Sequence, residues 1–167
     1  MATTFTKIAA VTVGAGGASS IDFTSIPSTY TDLCVKLSAR SDRAAEIDDF
    51  FIIKPNNSSS NLTYRFIRGN GAAATSGTSG NMYIAGAAST SSTFSNSEIY
   101  IPNYAGSTNK SMSVDTVEEN NATTAYSSLV AVLWSDTTAI NRVVLAPVYG
   151  TNFVQYSTAV LYGIKNS

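Results

Sequence analysis

The amino-acid sequence predicts an all-β fold, an antiparallel β-sandwich of jelly-roll-like type with about 8–10 strands in one domain over residues 1–167. Three observations carry this. Segments whose side chains alternate with a period of two recur along the chain, separated by Gly, Pro, Asn and Ser. The chain holds 24 Ser, 20 Thr and 13 Asn, short polar types that favour strands, turns and wetted surfaces over helix interiors. Only ARSDRAAEIDD (39–49) has helical character, and a turn or two capped by Ser41 or Asp42 is too short to form a core layer, so it reads as a connector.

Taken in order, FTKIAAVTV (5–13) and ASSIDF (18–23) are the first strands, and GAGGASS (14–20) between them supplies the backbone freedom of a tight bend or a hinge, the bend being preferred. TDLCVKLSA (31–39) sets Leu33, Val35 and Leu37 on one face; Asp32, Cys34, Lys36 and Ser38 take the other, so Cys34 is expected on the wetter side. DFFIIK (49–54) follows, then LTYRFI (62–67), which opposes Leu62, Tyr64 and Phe66 to Thr63, Arg65 and Ile67. GNGAAATSGTSGN (69–81) has no side chain large enough to anchor it and is expected to be a mobile loop unless a partner pins it. MYIAG (82–86) and SEIYIP (97–102) are short strands, and SMSVDTV (111–117) places Met112 and Val114 opposite Ser111, Ser113 and Asp115. YSSLVAVLW (126–134) and INRVVLAPVY (140–149) are more continuously apolar, the pattern of strands covered on both faces or bent over an edge. The β-branched and aromatic content of NFVQYSTAVLYGI (152–164) predicts a long closing strand.

Composition removes several functions. With no histidine, neither a Ser-His-Asp nor a Cys-His nucleophile is available, nor any zinc site that uses imidazole. The single cysteine, Cys34, forms no intrachain disulfide and, with only Lys36 as a basic neighbour, reads as an ordinary small residue. Ten Lys and Arg against 11 Asp and Glu leave a net charge of −1, without the basic footprint of a nucleic-acid binder. No stretch approaches the roughly 18 apolar residues of a membrane-spanning helix, and the N-terminal MATTFTKIAAVTVGAGG reads better as a strand than as a secretory signal. No repeat or heptad run supplies a fibre shaft.

The remaining candidates are few. Asp48 with Asp49 and Glu118 with Glu119 are adjacent acids, which on a strand point to opposite faces and in a loop are solvated, so no acidic pair for glycoside hydrolysis is expected. Asn120 and Asn121 add oxygen atoms beside the glutamates, but no Asp-x-Asp-x-Asp spacing organises them for calcium; no metal or cofactor is expected. The triplets beginning at Asn57, Asn61 and Asn121 match the glycosylation pattern, as chance produces in a chain this rich in Ser and Thr. Tyr100 and Tyr104 flank Pro102-Asn103, and planar rings beside amides either stack on sugars or fill a protein interface; rim packing in a sandwich is the competing reading. Arg65 and Arg68 stand at a strand end beside the 69–81 loop, where a guanidinium can bridge to a carboxylate or simply remain solvated. Arg65, Arg68, Tyr100, Asn103 and Tyr104 are therefore the interface or ligand candidates, and none is catalytic. Trp134 reads as core.

ASSIDFTSIPSTYTDL (18–33), YRFIRGNG (64–71), IYIPNYAGSTNKSMS (99–113), LWSDTTAI (133–140) and NFVQYSTAVLYGI (152–164) resemble small virion structural proteins of tailed bacteriophages. The most specific parts are SIPSTYTDL, IYIPNY and STAVLYGI. The resemblance implies a non-enzymatic β-sandwich on the particle surface, either a capsid decoration (cement) protein or the tip domain of a tail fibre. The chain begins with its own methionine just before the first strand and ends three residues after the last, which favours decoration of the head over a fibre tip. That reading implies the major capsid protein as partner, a homotrimer as assembly and the capsid surface of the virion as location. The alternative is a receptor- or carbohydrate-binding module of the tail, with a host-surface glycan as ligand and Tyr100, Asn103 and Tyr104 as its platform.

Overall fold

The structure of the protein, a computed structural model, describes residues 4–80, 82–121 and 125–165. Among these residues there is no helix, and 12 strands follow one another: β1 (Phe5–Thr12), β2 (Ile21–Phe23), β3 (Asp32–Ala39), β4 (Asp48–Pro55), β5 (Leu62–Gly69), β6 (Ala74–Gly77), β7 (Met82–Ala85), β8 (Ser95–Ile101), β9 (Lys110–Glu118), β10 (Tyr126–Trp134), β11 (Val143–Pro147) and β12 (Thr158–Ile164). An 8-stranded sheet runs β1-β12-β3-β8-β9-β10-β5-β6, and a 4-stranded sheet runs β2-β11-β4-β7. Every pairing within the sheets is antiparallel.

Two hairpins account for the unequal sheets. β5–β6 is inserted between β4 and β7, and β9–β10 between β8 and β11. Without them, β1-β12-β3-β8 faces β2-β11-β4-β7, the strand order of a jelly roll, so the predicted sandwich is present as a frame. The hairpins extend its larger sheet into a wing, β9-β10-β5-β6.

The core forms where inward positions of the two sheets meet. Leu33, Val35 and Leu37 of β3, Ile99 and Ile101 of β8 and Leu161 of β12 pack with Phe23, Phe51, Ile53, Val143 and Leu145 of the smaller sheet. Each such side chain contributes roughly 1.5–3 kcal/mol by leaving water. The wing's inner face continues this layer through Met112, Val114, Val130, Val132 and Trp134. Its far end closes on β7, where the Tyr83 and Tyr126 rings stack with centroids 4.2 Å apart at 25°.

Most expected strands are present, with instructive departures. The 69–81 segment is not a featureless loop: Ala74–Gly77 forms β6 against Phe66–Gly69. Asn70 N–H donates to the Ala73 carbonyl at 3.2 Å across a two-residue connection, and Gly71 sits at φ 83°, as the first central position of a type II′ turn requires. The 14–20 bend is confirmed by a Gly17 N–H to Gly14 carbonyl bond of 3.0 Å. The long closing strand is shorter than expected, because Tyr156 adopts φ 73° and the backbone turns before β12 begins at Thr158. The expected strand over 140–149 is likewise confined to Val143–Pro147. Cys34 is not wet: on the outer face of β3 it lies between register partners Tyr162 and Tyr100, fully buried, and its thiol is pushed up to about 11 by burial first and the nearby Glu98 charge second. It is therefore an unreactive thiol.

Candidate functional site

The outer face of the wing carries the most prominent surface feature, and alternation along β10 creates it. Val130, Val132 and Trp134 point inward, so Leu129, Ala131 and Leu133 must point outward. The apolar run expected to be covered on both faces or bent over an edge is a half-buried strand with apolar residues on its open side. Leu129 is 62% exposed, and its register partner on β5, Ile67, is 64% exposed. Val117 and Leu133 add further exposed apolar surface.

Register places the neighbours in two rows across the strands. One row runs Lys36, Glu98, Asp115, Leu129, Ile67; the next runs Cys34, Tyr100, Ser113, Ala131, Arg65. Together they form a concavity of about 400 Å³ whose lining includes Leu129, Ala131 and Ile67, with Arg65 toward one side and Glu98 with Asp115 toward the other. Glu98 and Asp115 face each other as like charges, an unfavourable cross-strand pair. Lys36 relieves it by an ion pair with Glu98, which also holds the Lys36 ammonium above its ordinary pKa. Both side chains are half-exposed, so the pair contributes at most about 1 kcal/mol. The face therefore offers an apolar centre between unlike charges, the chemistry of a protein-binding patch.

The residues singled out in the sequence fare differently. Arg65 lines this concavity, and its Nη1 donates to the Tyr64 carbonyl at 2.7 Å. Arg68 is on the inner face, since three positions along a strand reverse direction, so the two arginines form no common pair. Its guanidinium carbon lies 5.1 Å from the Tyr126 ring centroid, 5.4 Å from that of Tyr83 and 5.7 Å from that of Phe66, and its Nε donates to Thr75 Oγ1 at 2.9 Å.

Tyr100, Asn103 and Tyr104 do not make a sugar platform. Tyr104 is fully buried and its hydroxyl donates to the Pro27 carbonyl, so no ring face reaches solvent. The Tyr100 hydroxyl donates to Asp32 Oδ2 at 2.6 Å, which pushes its pKa up to about 12. Asn103 is exposed, but its backbone N–H donates to Asp32 Oδ1 at 2.8 Å. The segment is a corner that the buried carboxylate of Asp32 holds against the start of β3, a structural use of residues that looked like a ligand surface.

Neither acidic pair sets two carboxylates face to face, although Glu118 and Glu119 both border a cavity of about 280 Å³ beside Gly69, Asn70 and Tyr126. Asp49 is buried and accepts backbone N–H bonds from Phe50 (2.7 Å), Tyr149 (3.2 Å) and Gly150 (2.8 Å), whereas Asp48 sits on the other face of β4. Glu118 points inward, 1% exposed, and accepts from Asn120 Nδ2 at 2.7 Å and Ser89 Oγ at 3.3 Å through Oε1, while its Oε2 has no hydrogen-bond partner among the described residues. Burial, reinforced by Asp48 and Glu119, pushes its carboxyl up to about 7 against the opposing bonds from Asn120 and Ser89. Glu119 is exposed. Among the described residues no three His, Cys, Asp or Glu converge as metal ligands.

Sequence reading missed Leu129 and Ile67. The signal is present, because the period of two sets Ile67 on the polar side of its strand with Thr63 and Arg65, where an isoleucine is anomalous. No family model, curated protein or solved structure matches the chain.

Proposed function

We propose that the chain is a non-enzymatic structural protein of a bacteriophage virion, a capsid decoration protein that binds the major capsid protein lattice through the outer face of its wing and stabilises the head. The observation that supports this most is the paired exposure of Leu129 and Ile67 beside the Arg65, Glu98 and Asp115 charges, on one face of a sheet. The sequence resemblance to phage virion proteins supplies the partner. A homotrimer on the capsid surface is part of the proposal, because a closed three-fold assembly presents three such patches to a symmetric lattice. Weak individual contacts then act together through effective concentration.

The test is copy number in purified virions, measured by quantitative gel analysis. Hundreds of copies per particle are expected. A handful would remove the protein from the head and assign it to the tail, where host binding and a glycan array would examine the receptor-binding alternative.

A further inference from the structure

We propose that β6 is a docking edge for an extended peptide segment that carries an acidic side chain, with Arg68 as its charge partner. The two edges of the larger sheet differ in how they are protected. At β1 the ladder carries an irregularity between Lys7 and Ala9, and Lys7 supplies a charge, both of which discourage pairing with another strand. β6 ends the opposite side of the sheet with no irregularity in its register, no proline and no charge in Ala74–Gly77.

The hairpin fixes which groups are open. Asn70 and Ala73 form the hydrogen-bonded pair that closes the turn, so by alternation Arg68 and Thr75 form the next such pair. The N–H and C=O groups of Ala74 and Ser76 then face away from β5, where no further strand among the described residues pairs with them. An antiparallel or parallel strand arriving here would add backbone hydrogen bonds to both.

Arg68 gives this edge a chemical preference. Its guanidinium crosses toward β6, with Nε on Thr75 Oγ1 at 2.9 Å, and borders a small cavity of about 60 Å³ with Asn70, Ala73, Thr75 and Tyr126. The three surrounding rings hold the plane in place, and no ion pair among the described residues involves it. A residue on the added strand opposite Thr75 lies on the same face as Arg68, so a glutamate there meets the remaining guanidinium donors. This inference stands independently of the virion assignment.

The probe is a capped pentapeptide Thr-Val-Glu-Val-Thr and its counterpart with a central Lys, each titrated into the isotopically labelled chain while backbone amide shifts are recorded. The expected result is perturbation centred on Ala74–Gly77, with the Glu peptide bound about tenfold more tightly than the Lys peptide. Arg68→Gln should abolish the preference. Ser76→Pro, which removes an outward N–H and leaves the β5 ladder intact, should weaken both peptides alike and keeps the test valid if Arg68→Gln unfolds the wing. Equal affinities for the two peptides, shifts centred elsewhere, or concentration-dependent broadening of the β6 amides without peptide would overturn the proposal; the last would mean that a second copy occupies the edge.

Discussion

The jelly-roll frame and the inserted wing are built from the same residue types in opposite ways. In the frame both sheets cover each other, the inward side chains of β3 are sealed, and even an outward position such as Cys34 lies beneath flanking tyrosines. The wing is covered on its inner face only, and four of its large apolar residues, Ile67, Val117, Leu129 and Leu133, remain exposed outside. Burial maintains the frame as a scaffold, while the wing keeps apolar surface that folding alone does not need. Unused apolar surface beside paired charges is where a binding role is expected.

Substitutions break or sharpen this contrast in graded fashion. Val35→Asp, at the centre of β3, places a charge in a sealed layer and should cost at least about 4 kcal/mol, read as loss of the cooperative melting transition.

Glu118, where the wing meets the frame, should show the next effect, with opposite sign. Its carboxyl rises from 4.5 in the unfolded chain to about 7 on folding, so the folded state binds the proton more tightly. The resulting stability is fully present below about pH 4.5 and is lost as pH rises through about 7. Glu118→Gln should flatten this dependence and stabilise the protein above pH 7 by up to roughly 3 kcal/mol, seen as a higher Tm than the parent at pH 8 but not at pH 4. Parallel melting curves across that range would contradict the assignment.

Asp32→Ala removes the acceptor shared by the Tyr100 hydroxyl and the Asn103 N–H and should cost roughly 2 kcal/mol in denaturant titration. Leu129→Asp is the smallest in stability, within about 0.5 kcal/mol, because its side chain is already in water. A large loss there would mean that the outer face belongs to the core after all.

Much of the frame was legible because alternation and burial agree: Leu33, Val35 and Leu37, or Met112 and Val114, face the core as their spacing requires. The wing was harder to read. In Leu129–Trp134 every residue is apolar, so the period of two is hidden, and a strand exposed on one side looks like one covered on both. The β6 hairpin was announced by Asn70-Gly71, but the small residues around it masked the strand. Cys34 and Glu118 show a deeper limit: their burial depends on Tyr100 and Tyr162, or on Ser89 and Asn120, brought close by tertiary pairing. The same limit made Tyr104 resemble a ligand surface when its hydroxyl serves Pro27.

The most direct test of the proposed head docking is co-sedimentation of the purified chain and its Leu129→Asp variant with tailed-phage heads that carry no decoration layer. The parent should bind to saturation, and the variant should remain in the supernatant with an unchanged melting temperature. Equal binding by both would contradict the claim that the outer face of the wing is the docking surface.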